Sequence, residues 1–150
     1  MARAIQLAVE NARSGSGGPF GSVVVKENGI VGEGVNQVTT TNDPTAHAEV
    51  LAIRQACHKL GRFELRGCDL YTSCEPCPMC LSAIHWARID RVFFASLPED
   101  AAKAGFDDTT IYGEIGKPHA QRKIPMLQMM REEALVAFQA WEQNLGKILY

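Results

Sequence analysis

The alternation of apolar and polar positions marks out a series of elements along the chain. Ile5, Ala8, Val9 and Ala12 recur at helical spacing and predict a first helix over Ala2 to Arg13. The run Ser14-Gly15-Ser16-Gly17-Gly18-Pro19 breaks it. Ser22 to Lys26 and Ile30 to Val35, joined by Glu27-Asn28-Gly29, read as a β-hairpin with an Asn-Gly turn. The polar stretch from Asn36 to Pro44 reads as a loop. A second helix begins near Thr45, carries Val50, Ile53, Cys57 and Leu60 on one stripe, and ends at Gly61. Asp69 to Ser73 reads as a strand, Pro76 opens a third helix of about Cys77 to Arg88, and Arg91 to Ala95 is a short apolar strand. The order β-β-α-β-α-β implies a mixed sheet between helices, an α/β three-layer architecture. Past Pro98 the pattern weakens. Ile124 to Met130 is expected to supply a further strand, and Glu132 to Leu145 a helix with Leu135, Phe138, Trp141 and Leu145 facing inward.

Composition narrows the class of protein. At 150 residues, with 46% hydrophobic and 21% charged, the chain fits one globular domain, 1–150, around a single core. No apolar run approaches the ~20 residues of a membrane span. Arg3, Glu10 and Arg13 interrupt the first dozen residues, which argues against a secretory signal. Lys and Arg total 15 against 17 Asp and Glu, for a net charge of −2. Without a basic footprint, nucleic acid is a poor partner and a small molecule a better one. The five cysteines, Cys57, Cys68, Cys74, Cys77 and Cys80, are odd in number and bunched at 74–80. That is not the layout of a disulfide framework. It suits a metal site in a reducing cytoplasm, with Cys57 and Cys68 as plain buried thiols.

Two short motifs carry the chemistry: His47-Ala48-Glu49 and Pro76-Cys77-Pro78-Met79-Cys80, each at the start of a helix. Cys77 and Cys80 are three apart and share a helix face, so they can chelate one ion. His47 and Glu49, two apart, converge only around a site off the helix end. Zinc takes imidazole nitrogen and thiolate sulfur, and a catalytic site leaves the fourth position to water. Two helix N-termini aimed at one ion favour thiolate over thiol. Glu49 need not be a ligand. Beside the open position it can take a proton from water and return it to a leaving group. The competing arrangement is a closed structural Cys₃His site, which adds Cys74 to the ligand set and leaves Glu49 idle.

The pairing of these two motifs resembles the signature of the zinc-dependent cytidine deaminase-like superfamily. The resemblance implies an α-β-α sandwich around a five-stranded mixed sheet. It also implies one Zn²⁺ per subunit on His47, Cys77 and Cys80, with Glu49 as proton shuttle and Cys74 outside the ligand set. Gly17-Gly18-Pro19-Phe20-Gly21, the run from Val38 to Glu49, the run from Tyr71 to Cys80, Ala104-Gly105-Phe106-Asp107-Asp108 and Phe138-Gln139-Ala140-Trp141 are similar to the small bacterial guanine deaminases. The likeness extends from the first helix to Tyr150.

The activity so implied is hydrolysis of guanine to xanthine and ammonia, in purine catabolism or salvage. By the same resemblance, Asn36 would hydrogen-bond the purine edge, and Phe20 and Trp86 would sandwich the base. Asp108, or its neighbour Asp107, would supply a second carboxylate for recognition or proton transfer, and Tyr150 would cap the pocket. It further implies a homodimer in which the segment from about 125 to 150 exchanges between subunits. The alternatives are deamination of cytosine, cytidine or tRNA adenosine, and a non-catalytic module built on structural zinc.

Overall fold

A computed structural model describes all residues from Met1 to Tyr150, as two compact units, Met1–Asp108 and Thr109–Tyr150. The first unit runs α1 (Ala2–Ser14), β1 (Gly21–Lys26), β2 (Gly29–Val35), α2 (Val38–Thr41), α3 (Ala48–Leu60), β3 (Cys68–Cys74), α4 (Pro78–Trp86), β4 (Arg91–Ser96) and α5 (Pro98–Lys103). Gly15 and Gly61 close α1 and α3 in the left-handed region, at φ 71° and 64°, where a residue without Cβ carries no steric cost.

The sheet is mixed, in the order β2-β1-β3-β4, with β3 and β4 parallel and the other pairs antiparallel. It has four strands, not the five that the resemblance implies. Residues 124–130 form no strand: Pro125 lacks the N–H a ladder requires, and Met130 turns to φ 52° as the N-cap of a helix.

Helices cover both sheet faces of this unit. A Cβ on Gly21 would lie 2.4 Å from the Ala4 carbonyl oxygen of α1. One on Gly34 would lie 2.1 Å from the Ala48 oxygen of α3. Gly34 pairs with Ser22, the neighbour of Gly21, so alternation along the strand puts α1 and α3 on opposite faces. Between the sheet and the α3 and α4 layer lies a core of Val24, Ala52, Ile53, Ala56, Leu65, Leu70, Ile84 and Ala87. Burial of each large member is worth about 1.5–3 kcal/mol. On the other face, register is marked by cross-strand pairs: Arg91 grips Asp69 with two hydrogen bonds, and Phe93 stacks on Tyr71 at 4.7 Å.

Three expectations shift. The buried stripe of α1 is Ala4, Ala8 and Asn11, while Ile5 and Val9 face outward. The hairpin turn sits one residue earlier than Asn28-Gly29: Glu27 and Asn28 take positive φ, and a bulge between Val24 and Val25 absorbs the offset. The stretch from Asn36 to Pro44, expected as a loop, contains the short helix α2 at Val38–Thr41. The apolar strand β4 lies at the sheet edge, with Phe93 and Phe94 exposed.

The second unit holds α6 (Thr109–Ile115), a 3₁₀ turn (His119–Gln121) and α7 (Arg131–Gln143). The face of α7 expected to point inward is largely in the open. Phe138, Trp141 and Leu145 are exposed and Leu135 is half-buried, because this unit carries no layer of its own to cover them.

Candidate active site

Each short motif places a candidate ligand at the N-cap of a helix. His47 caps α3 and Cys77 caps α4, each in extended conformation and neither with its side chain turned back onto the helix. Pro78 at N1 fixes the entry into α4. Cys80 then falls at N3, a position from which a side chain reaches back toward the N-cap residue. The two thiols are thereby brought together by one turn of chain. The site lies where the parallel strand β3 ends and both helices begin.

The imidazole, Cys77 and Cys80 offer ligand atoms that all lie within 4.8 Å of one another. His47 Nδ1 is 3.6 Å from Cys77 Sγ and 3.5 Å from Cys80 Sγ. A tetrahedral zinc, with bonds of about 2.3 Å to sulfur and 2.0–2.1 Å to nitrogen, needs N···S separations of roughly 3.5 Å. The donor set therefore fits the ion, through Nδ1.

Charge within the triad is arranged to match. A hydrogen bond from Cys80, with the His47 ring alongside, holds Cys77 well below the usual thiol range. The same bond and burial push Cys80 up. Cys77 in turn raises His47. One thiolate is thus favoured already, and the second proton leaves when a metal binds.

Glu49 stands beside this group and outside it. The residue is buried, and burial raises its carboxyl above the ordinary range. Its Oε1 accepts a 3.0 Å hydrogen bond from Thr72, and its Oε2 lies 3.3 Å from Cys80 Sγ. Thr72, itself buried on β3, is a residue the motif reading missed. The available signal was strand alternation, which turns Leu70 and Thr72 to the α3 face, where a lone hydroxyl requires a partner.

The remaining candidates separate. Asn36 is buried at the end of β2, with its Oδ1 accepting the Val38 N–H at 3.3 Å. Phe20 immediately precedes β1; its ring meets Phe106 edge-on at 5.0 Å, and its carbonyl accepts the Asn36 N–H at 3.1 Å. Asp108 is half-buried, and the charges of Cys77 and His47 act on it; Asp107 is exposed. Burial raises the Asp108 carboxyl, and the Cys77 charge raises it further.

Cys74 turns elsewhere, its Sγ 3.7 Å from the Leu97 carbonyl oxygen, so it does not join the ligand group. Trp86 is the last residue of α4, 62% exposed and about 13 Å along the helix from Cys77 by the usual rise, so it is not brought to the triad. Tyr150 lies in the second unit, 77% exposed.

A helix-capped His/Cys/Cys group with a buried carboxylate outside it fits the metal-binding region of the zinc-dependent deaminases. The family of the cytidine and deoxycytidylate deaminase zinc-binding region matches residues 1–96, and the chain belongs to that family. Within it, the chain is 57% identical to the guanine deaminase of Bacillus subtilis over 148 residues, covering 99% of this chain and 95% of the relative. It belongs with the guanine deaminases. The X-ray structure of guanine deaminase from Bacillus subtilis superposes with a TM-score of 0.97 over the same shares of the two chains. A structure of the guanine deaminase from Nitrosomonas europaea is 32% identical with a TM-score of 0.66, covering 72% of this chain and 63% of that one. The tRNA-specific adenosine deaminase of Aquifex aeolicus is 47% identical over 79 residues, 53% of this chain and 52% of the relative.

Proposed function

We propose that this chain is a zinc-dependent guanine deaminase that converts guanine and water to xanthine and ammonia. The observation that carries this reading is the triad's tetrahedral N···S spacing beside a buried carboxylate that is not among the ligands. His47, Cys77 and Cys80 would hold the ion. Zinc, when bound, polarises water so that a nucleophile exists near neutral pH, at a pKa of about 7.

The other steps belong to the chain. Asn36 and Phe20 orient the base, the first through an amide that both donates and accepts, the second through its ring face. As the water oxygen bonds to C2, Glu49 takes the water's proton and delivers it to the adjacent ring nitrogen. Glu49, alone or with Asp108, then moves the remaining proton of the new C2 hydroxyl to the exocyclic amine, and the C–N bond breaks as that oxygen becomes the C2 carbonyl. Ammonia leaves.

Trp86 is the second face of the base sandwich and Tyr150 the cap, both in a homodimer that exchanges the segment from about 125 to 150. The exposed apolar residues Ile124, Leu127, Met129 and Met130, and the open edge of β4, support an assembly of that kind. Five free cysteines suit the cytoplasm, and no helix is long and apolar enough to cross a membrane.

The test is ammonia release from a panel of free bases and nucleosides, with Glu49→Gln beside the unaltered chain. Guanine should turn over and cytosine, cytidine and adenosine should not; the variant should keep its zinc and lose nearly all activity. Turnover of cytidine with guanine inert would refute the substrate, and a fully active Glu49→Gln would refute the proton shuttle.

A further inference from the structure

Asn11 has no part in the mechanism above, yet it is a polar side chain on the buried stripe of α1, only 6% exposed. Its Nδ2 donates to two carbonyls at once, those of Gly18 and Asn36, each at 2.8 Å. Those carbonyls belong to the segments that carry the two base contacts. The Gly18 oxygen also accepts the Phe20 N–H at 2.8 Å, and the Phe20 oxygen accepts the Asn36 N–H at 3.1 Å. One amide group thus closes a ring of hydrogen bonds running Asn11, Gly18, Phe20, Asn36 and back. The glycine beside it permits the close approach: a Cβ on Gly17 would sit 2.1 Å from the Asn36 oxygen and 3.0 Å from Asn11 Nδ2.

The geometry points to Asn11 as a positioning residue for the purine, one that fixes the spacing between the Phe20 ring and the Asn36 amide without touching the substrate. A buried NH₂ has two hydrogens, and here both are spent on main-chain oxygens, so it cannot rotate to serve either alone. Leucine has nearly the same shape and no donor. In its place the Asn36 carbonyl would lose its donor in the interior and the Gly18 carbonyl would keep only the Phe20 N–H. The Asn36 carbonyl would have to move toward water, and the link that fixes Phe20 against Asn36 would be lost. The side-chain hydrogen bonds of His47, Glu49, Cys77 and Cys80 run to one another and to Thr72, outside this ring, so the consequence falls on binding and not on the chemical step. The inference rests on the proposed roles of Phe20 and Asn36.

The experiment compares Asn11→Leu, Asn11→Ala and Asn36→Ala in steady-state guanine deamination, with zinc content and thermal unfolding measured on each. Asn11→Ala is the milder change, since the space it vacates admits a water that can satisfy the carbonyls. Asn11→Leu should raise KM for guanine about tenfold, the equivalent of about 1.4 kcal/mol, with kcat changed less than about twofold. Inhibition by the product xanthine should weaken in parallel, and zinc should stay at one per chain. Asn11→Ala should show the same split at smaller size. If Asn36→Ala raises KM and neither Asn11 variant does, the positioning role is wrong and the base contact stands. If Asn36→Ala leaves KM unchanged, the base contact itself is wrong and the inference goes with it. Equal losses in kcat and kcat/KM, with KM constant in folded Asn11→Ala, would assign Asn11 to structure alone.

Discussion

Substituting Gly34 by alanine should remove zinc and activity from a distance, because this glycine sets how close α3 lies to the sheet. The added Cβ would stand 2.1 Å from the Ala48 oxygen and 2.6 Å from the Ala52 nitrogen, and both are backbone atoms with no rotamer to yield. Ordinary contact begins near 3.4 Å, so the first turn of α3 must retreat by more than about 1 Å or β2 must buckle. Overpacking of this kind costs typically 1–3 kcal/mol of stability. The catalytic consequence is larger. Ala48 lies between His47 and Glu49, so the retreat displaces the proposed metal ligand and the proposed proton carrier together, and a misplacement near 1 Å costs roughly a hundredfold in rate. Metal analysis, guanine turnover and thermal unfolding of Gly34→Ala measure all three effects. Gly29→Ala is the control, since its Cβ would meet nothing closer than the Lys26 oxygen at 3.5 Å. Gly34→Ala with full zinc and more than half the wild-type kcat would refute the argument that backbone contact between β2 and α3 places the site.

Thr72→Val removes the hydroxyl that holds Glu49 Oε1 and keeps the shape; kcat should fall about tenfold with KM and zinc unchanged, and Thr72→Ser should restore it, whereas an active Thr72→Val would show the carboxylate needs no anchor. Cys74→Ser should retain one zinc per chain in metal analysis; loss of the ion would revive the closed Cys₃His arrangement. The Arg3 hydrogen bonds hold the Glu33 carboxyl below its ordinary value of 4.5, so the pair stabilises the fold above that pH and the benefit is lost as pH falls through the lower, folded value. Glu33→Gln should therefore melt earlier than the unaltered chain at pH 7, by a margin that shrinks as pH is lowered below 4.5, and a deficit that stays constant over that range would rule out the ion pair as cause. Chelation of the metal should lower the melting temperature, and readdition of zinc should restore it; an unchanged melt would mean that the triad holds no ion in solution.

What the sequence disclosed depended on whether the deciding contacts were local. Helix ends were plain because Gly15 and Gly61 act through their own φ, and the triad was plain because an N-cap and its N3 residue are neighbours in one turn. The stripe of α1 was misplaced for the opposite reason. Asn11 faces inward because two carbonyls from residues 18 and 36 await it, and a periodicity count treats a polar residue as outward. Thr72 escaped notice for the same cause, its partner lying on another element. The turn slipped by one residue because the bulge that shifts it is a property of two strands together.

The least legible stretch is also the one whose apolar residues have no cover in this chain. Phe138, Leu145, Ile148 and Leu149 carry the hydrophobicity that normally announces a core, yet each is more than 60% exposed, and so is Leu127. A 150-residue chain that leaves so many large apolar side chains in water has burial still to gain, at roughly 25 cal/mol for each Å² covered. Edge strand β4 presents a second incomplete surface, with unpaired backbone groups along one side and Phe93 and Phe94 beside them. Periodicity along one chain finds faces, and it cannot say which molecule supplies the opposing one. The candidate metal site avoids that ambiguity because all of its proposed ligands fall between residues 47 and 80 of a single chain, whereas the caps and walls proposed for the purine include Trp86 and Tyr150, both on exposed surfaces.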